Sequence, residues 1–246
     1  MAFSNDLLSD KTILITGAGK GIGRECALIA SACGAKVIAV ARTEADLLSL
    51  EKDAPNTIEP WVFDVADSAF HKKIRELTKL DGLVNNAGTN RVAPMHQQTD
   101  ENIDDVIDLN IRSLYKVAQA ALTPMLANKS GAIVNMSSQM AFVGSPGRTL
   151  YCMSKHAVEG LTKAMAVELA QHNIRVNTVA PTFVRTPMTE PMLADPDFHR
   201  FILGMLPMRE LATPEDVANA TIFLLSHLSA MTTGSCLKVD GGWTAR

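Results

Sequence analysis

Apolar positions along this chain follow two rhythms. Short, near-continuous apolar runs such as Val37-Ile38-Ala39-Val40 alternate with longer stretches of helical spacing. The runs predict strands over residues 12–16, 36–41, 58–63, 82–85, 131–137, 175–180 and 236–239. The stretches predict helices over 21–33, 44–53, 68–79, 99–127, 150–172 and 214–226. Runs with no polar alternation fit strands covered on both faces. Strand and helix in turn, with no linker or repeat, predict an α/β fold: one doubly wound parallel sheet with right-handed crossovers. The 246 residues are enough for a single large domain spanning the chain. Residues 187–211 break the alternation and are rich in methionine (Met188, Met192, Met205, Met208). Placed between the sixth and seventh strands, at a carboxyl side, this segment is expected to lie over a ligand as a lid.

Charge and cysteine usage narrow the function class. A net charge of −3 argues against a nucleic-acid partner. No apolar run reaches the roughly 18 residues of a membrane span, and the opening residues lack a secretory-leader pattern. Cys26, Cys33, Cys152 and Cys236 form no Cys-x-x-Cys pair and no His/Cys cluster. Reduced thiols in a cytoplasmic protein, with no metal held by protein groups, are therefore expected.

The chemistry is concentrated in Tyr151-Cys152-Met153-Ser154-Lys155. Four-residue spacing puts Tyr151 and Lys155 on one helix face, roughly 5–6 Å apart at Cβ. A phenol beside an ammonium makes an acid/base. Bringing a tyrosine from a pKa of about 10 to about 7 takes about 4 kcal/mol. One positive charge about 4 Å away supplies a similar amount at an effective dielectric near 20. Ser138 follows the fifth apolar run and is placed to bring a hydroxyl to the same point.

A second site is signalled by Thr16-Gly17-Ala18-Gly19-Lys20-Gly21-Ile22-Gly23, between the first strand and the first helix. Glycines let the backbone approach a pyrophosphate, and the helix N-terminus offers free N–H groups. The second strand ends Val40-Ala41-Arg42-Thr43, where an acidic residue would select NAD(H) through its ribose hydroxyl. Arg42, with Lys20, favours the 2′-phosphate of NADP(H) instead, NAD(H) remaining possible. Asp64, ending the third strand, is a candidate acceptor for the adenine amino group or an N-cap for the next helix.

These residues resemble the short-chain dehydrogenase/reductase family. The resemblance rests on the glycine loop, Asn85-Asn86-Ala87-Gly88, Asn110, Ser138, Tyr151-x3-Lys155, Ile174-Arg175-Val176-Asn177 with Pro181, and Asp240-Gly241-Gly242. It covers nearly the whole chain. It implies a Rossmann-type fold with a seven-stranded parallel sheet, assembled as a homotetramer. It implies that Tyr151 is the acid/base and that Lys155 lowers its pKa and holds the nicotinamide ribose. Ser138 would orient the substrate oxygen, and Asn110 would hold a water linking Lys155 to solvent. Gly17, Lys20, Gly21, Ile22 and Gly23 would take the phosphates, with Arg42, Asp64 and Val65 around the adenosine. Asn86, Ala87 and Gly88 would line the ribose and support the sheet, while Pro181, Val184 and Thr186 would adjoin the carboxamide. Thr182 stands where the family commonly has glycine.

Local strings, including Arg42-Thr43-Glu44-Ala45-Asp46-Leu47 and Ser137-Ser138-Gln139, resemble the dicarbonyl/L-xylulose reductase branch. That resemblance implies a small-molecule carbonyl substrate of sugar or dicarbonyl type, touched by Ser138 and Gln139. Arg148, three residues before Tyr151, stands where that branch has a histidine. It would bind a carboxylate bidentately, so a 2-keto sugar acid is the alternative substrate. Arg91, Arg185 and Arg200 are possible helpers. Reduction of a 3-oxoacyl chain on a carrier protein, wrapped by the lid methionines, is a further alternative. An inactive NADP(H)-binding scaffold would require a broken catalytic set.

Overall fold

The structure, a computed structural model, describes residues 3–54, 57–187 and 189–245. Seven parallel strands form one sheet in the order β3-β2-β1-β4-β5-β6-β7. They are β1 (Thr12–Thr16), β2 (Lys36–Ala41), β3 (Ile58–Val62), β4 (Gly82–Asn85), β5 (Gly131–Met136), β6 (Ile174–Pro181) and β7 (Cys236–Val239). The helices are α1 (Gly21–Ala32), α2 (Glu44–Asp53), α3 (Ser68–Arg75), α4 (Asp100–Ile107), α5 (Leu114–Asn128), α6 (Thr149–Leu169), α7 (Glu190–Leu193), α8 (Pro196–Met205) and α9 (Pro214–Leu225). This is the doubly wound Rossmann-type architecture expected from the sequence.

Successive strand residues feed opposite cores. Ile13, Ile15, Val37 and Ala39 pack with Cys26, Ala27 and Ala30 of α1 and Val217, Ala218 and Ile222 of α9. Leu14, Ile38 and Val40 pack on the other face with Phe70 and Ile74 of α3 and Val117, Ala121 and Met125 of α5. Burial on both faces is why these strands read as unbroken apolar runs. Pro60 sits within β3, which tolerates the missing N–H because β3 is an edge strand.

Most elements lie within a few residues of the sequence reading, and three regions differ from it for physical reasons. The long helix over 99–127 is divided into α4 and α5 by a π turn, Asp108–Ser113. The wider turn accommodates an extra residue and carries Asn110, buried at 1% exposure. Helix α3 ends at Arg75, and the Thr78 carbonyl beyond it is taken by Asn128 Nδ2 at 3.2 Å. The lid region is not irregular: it folds into α7 and α8, anchored by buried Leu193, Ile202 and Leu206.

A polar ladder crosses the apolar interior. Asn85 Nδ2 donates to Asn135 Oδ1 at 2.9 Å, and Asn135 Nδ2 donates to Thr162 Oγ1 at 2.9 Å. It ties β4 to β5 and β5 to α6, the helix that carries Tyr151 and Lys155.

Candidate active site

Strand order reverses between β1 and β4, and a cleft opens at the carboxyl ends of these strands, where such sheets bind ligands. The floor of the cleft is the glycine loop. Gly17 has φ +66°, and a Cβ there would stand 2.9 Å from Asn86 Nδ2. A Cβ on Gly23 would fall 2.3 Å from the Gly17 carbonyl oxygen, so only glycine lets the loop close on itself. Asn86 Nδ2 donates to the carbonyls of Thr16 and Gly17 at 3.1 and 3.3 Å. Lys20 is the N-cap of α1 and makes no side-chain capping bond, leaving first-turn N–H groups for an anion.

A cavity of about 380 Å³ runs from this cradle to the catalytic set. Gly17, Lys20, Gly21, Ile22, Asn86, Ala87, Gly88, Ser138, Tyr151, Lys155, Pro181, Val184 and Thr186 all line it. A second cavity of about 230 Å³ continues from the loop to the β2–α2 turn, with Lys20, Arg42, Asp64 and Val65 in its wall. A third, of about 210 Å³, lies on the other side of Tyr151 and includes Ser138, Gln139 and Arg148. Of the catalytic and cofactor residues expected from sequence, Gly23 and Asn110 line none of these. Gly23 packs beneath the loop, and Asn110 stands behind Gly88 and Thr89.

The Asn110 side chain is tied to protein groups at both its oxygen and its nitrogen. Its Oδ1 accepts from Thr89 N at 2.8 Å, and its Nδ2 donates to Thr89 O at 2.9 Å and to Ser154 Oγ at 3.0 Å. It fastens the loop after β4 to α6. Asp64 is not the helix cap. Asp67 fills that place, accepting from Ala69 N at 2.8 Å, while Asp64 accepts from Ala66 N and faces Arg42 at 3.7 Å.

Ser138 and Lys155 are buried and Tyr151 is half-buried, and desolvation shifts the two titratable groups among them. Lys155 Nζ lies 5.5 Å from the centroid of the Tyr151 ring and donates to the Met136 carbonyl at 2.8 Å. Desolvation brings its pKa down to about 8, against the opposing pull of Glu159. Desolvation also raises the Tyr151 pKa, partly offset by Ser138 and then Arg148. The expectation that Lys155 draws the phenol down toward neutrality is therefore not met in the protein alone. The low-dielectric surroundings that strengthen the ammonium's field also penalise the phenolate. Ser138 Oγ donates to Gln139 Oε1 at 2.7 Å and accepts from Met140 N at 3.2 Å.

Arg148 is 6% exposed and, among the described residues, pairs with no carboxylate. Its guanidinium donates to Met192 Sδ at 3.2 Å and lies 5.7 Å from the Phe183 ring centroid. Burial lowers its pKa without discharging it. The expected helper arginines do not join it. Arg91 is held by Asp105 at 2.7 Å, Arg200 by Asp197 at 2.9 Å, and Arg185 is exposed. Of the lid methionines, Met192 lines the third cavity and Met205 an adjoining aromatic-walled one of about 450 Å³, while Met208 is 71% exposed. Met188 lies outside the described residues.

Among the described residues, four buried polar atoms at the site are unpartnered: Ser137 Oγ, Thr182 Oγ1, Asn90 Oδ1 and Gln139 Nε2. Thr182 borders both the first and third cavities. Asn90 and Ser137 had no role expected from sequence, and the signal that could have found them is position, just beyond the carboxyl ends of β4 and β5.

Comparison with known proteins agrees with this geometry. The sequence family described as enoyl-(acyl carrier protein) reductase matches residues 17–244. The chain belongs to the short-chain dehydrogenase/reductase family. It is 42% identical to L-xylulose reductase of Mus musculus over 240 residues, covering 97% of this chain and 98% of that one. It is 43% identical to D-erythrulose reductase of Gallus gallus over 232 residues, covering 94% of each. Among solved structures it resembles a gluconate 5-dehydrogenase from Burkholderia cenocepacia in complex with NADP and tartrate. That match has a TM-score of 0.92 and 30% identity, and covers 100% of both chains.

Proposed function

We propose that this protein is an NADP(H)-dependent oxidoreductase that interconverts a ketone and a secondary alcohol on a small sugar or dicarbonyl substrate. One observation carries the reading: Ser138, Tyr151 and Lys155 share a continuous cavity wall with the glycine cradle. A cradle that a Cβ would fill, open to a free helix N-terminus, suits a pyrophosphate. Gly17, Lys20, Gly21 and Ile22 would hold the phosphates, Arg42 and Lys20 a 2′-phosphate, and Asp64 and Val65 the adenine side. Asn86, Ala87, Gly88 and Lys155 would line the nicotinamide ribose, with Pro181, Val184 and Thr186 beside the ring. When bound, the dinucleotide supplies the hydride in reduction and receives it in oxidation.

The chain's own residues supply the proton chemistry. In reduction the Tyr151 hydroxyl donates its proton to the substrate oxygen as negative charge develops there. Ser138 turns its hydroxyl from Gln139 to the same oxygen and stabilises that charge. Lys155 keeps a positive charge beside the phenolate left behind. The raised pKa of Tyr151 suits it to the acid's role, because the phenol is fully protonated at neutral pH. Asn110 serves by holding α6 against the loop after β4.

A second reading of the substrate is supported by Arg148. A buried guanidinium with no carboxylate partner, on the wall of the substrate cavity, fits a 2-keto sugar acid. The likeness to a solved gluconate 5-dehydrogenase supports a sugar acid more generally. The lid role of residues 187–211 is supported by Thr189 and Met192, which face the cavity. A homotetramer is supported by apolar side chains left exposed on the long helices, Tyr115 on α5 and Met153 and Val167 on α6. A cytoplasmic location is in keeping with four free thiols.

The test is oxidation of NADPH and NADH in the presence of neutral ketoses, keto sugar acids, diketones and 3-oxoacyl thioesters, with Tyr151→Phe as control. NADPH-dependent turnover of a ketose or sugar acid, lost in the variant, is expected. Turnover retained in Tyr151→Phe, or confined to NADH, would overturn the reading.

A further inference from the structure

The cavity between the glycine loop and the β2–α2 turn carries two cations, and each is already answered by an anion. Lys20 Nζ stands 3.2 Å from Asp46 Oδ2, and Arg42 stands 3.7 Å from Asp64 Oδ2. All four residues line the same cavity. A 2′-phosphate entering here therefore meets a site of no net charge, not a positive one.

The two carboxylates differ in how they are held. The Asp64 side chain is 48% exposed, at the long distance of 3.7 Å from an arginine that is itself 77% exposed. That pair is free to open toward solvent. Asp46 is only 23% exposed, whereas its partner Lys20 is 63% exposed. Asp46 packs against the loop, since a Cβ on Gly19 would stand 3.0 Å from the Asp46 Cβ. Lys20 can swing away, but Asp46 stays in the wall, where it repels a phosphate dianion and can accept a hydrogen bond from an unphosphorylated ribose.

We propose that Asp46 is a specificity-determining residue that restrains the preference for NADP(H) and leaves the site able to take NAD(H). The inference rests on the dinucleotide reading of the cleft. It goes beyond that reading by locating the balance between the two cofactors in one carboxylate. Asp46 also lies in the first turn of α2, where an acid favours the helix dipole. Glu44 lies in the same turn, outside the cavity, and serves as the control for that effect.

The experiment is measurement of Kd for NADPH and NADH by nicotinamide fluorescence, in the wild type and in Asp46→Asn, Asp46→Ala and Glu44→Gln, at low and high salt. Removing one negative charge beside the phosphate should tighten NADPH by about three- to tenfold, with less gain at high salt. NADH should be unchanged or weakened, and Glu44→Gln should leave both constants where they are. If NADPH binding is unchanged or weaker in both Asp46 variants, Asp46 instead serves to position Lys20 and the proposal falls. Equal tightening of both cofactors, or the same shift in Glu44→Gln, would also overturn it. Wild-type protein that binds neither dinucleotide would instead sink the cofactor reading on which the proposal stands.

Discussion

Lys155 is hydrogen-bonded through Nζ to the carbonyl of Met136 at 2.8 Å, so the lysine proposed to act beside Tyr151 on α6 also ties that helix to the end of β5. The same bond holds an ammonium in a buried place, and its pKa of about 8 against an ordinary 10.5 records the cost.

Lys155→Met should therefore abolish turnover while stabilising the fold by about 1–3 kcal/mol at pH 7. A lowered lysine pKa means that the folded state loses its proton before the unfolded state. The burial cost is fully present below pH 8 and fades as the pH rises toward 10.5. Urea unfolding at both ends of that window should show the variant's advantage shrinking. A variant less stable than the wild type at pH 7 would show that the bond to Met136 outweighs the burial of charge.

Tyr151 can be observed almost alone, since the chain has two tyrosines and Tyr115 is half exposed. In Tyr115→Phe, free of dinucleotide, absorbance titration of the phenol should give a pKa above the ordinary 10. Ionisation near neutrality would mean that the lysine's field beats desolvation in the protein alone.

Arg148→Ala should lower kcat/KM for a keto sugar acid by about 100-fold, and for a neutral ketose by less than about fivefold. Arg148→Lys should restore part of the loss, because it keeps the charge but not the paired geometry. Equal losses on both substrates would remove the carboxylate reading.

Asn135→Ala should cost about 2–4 kcal/mol, since it leaves Asn85 Nδ2 and Thr162 Oγ1 without their partners inside the core. Thermal unfolding of the two proteins side by side reads this directly. A change within a few tenths of a kcal/mol would show that water replaces the amide.

The amino-acid sequence by itself determined the order of strands and helices along the chain and most of the residues that come together in the cleft. Strands covered on both faces are apolar along most of their length, and β1, β2 and β4 fall where the apolar runs fall. The cradle was legible because the loop closes so tightly that a Cβ on Gly23 would fall 2.3 Å from the Gly17 carbonyl oxygen, which admits only glycine. The tertiary structure decided what depends on neighbours distant along the chain. The π turn that turns Asn110 inward leaves no mark on apolar spacing. The phenol's pKa follows from burial among segments from the whole carboxyl edge, not from Lys155 four residues away. Among the described residues Arg148 lacks an acidic partner, and Lys20 has one in Asp46, because charge pairing is settled by distances that no local pattern encodes.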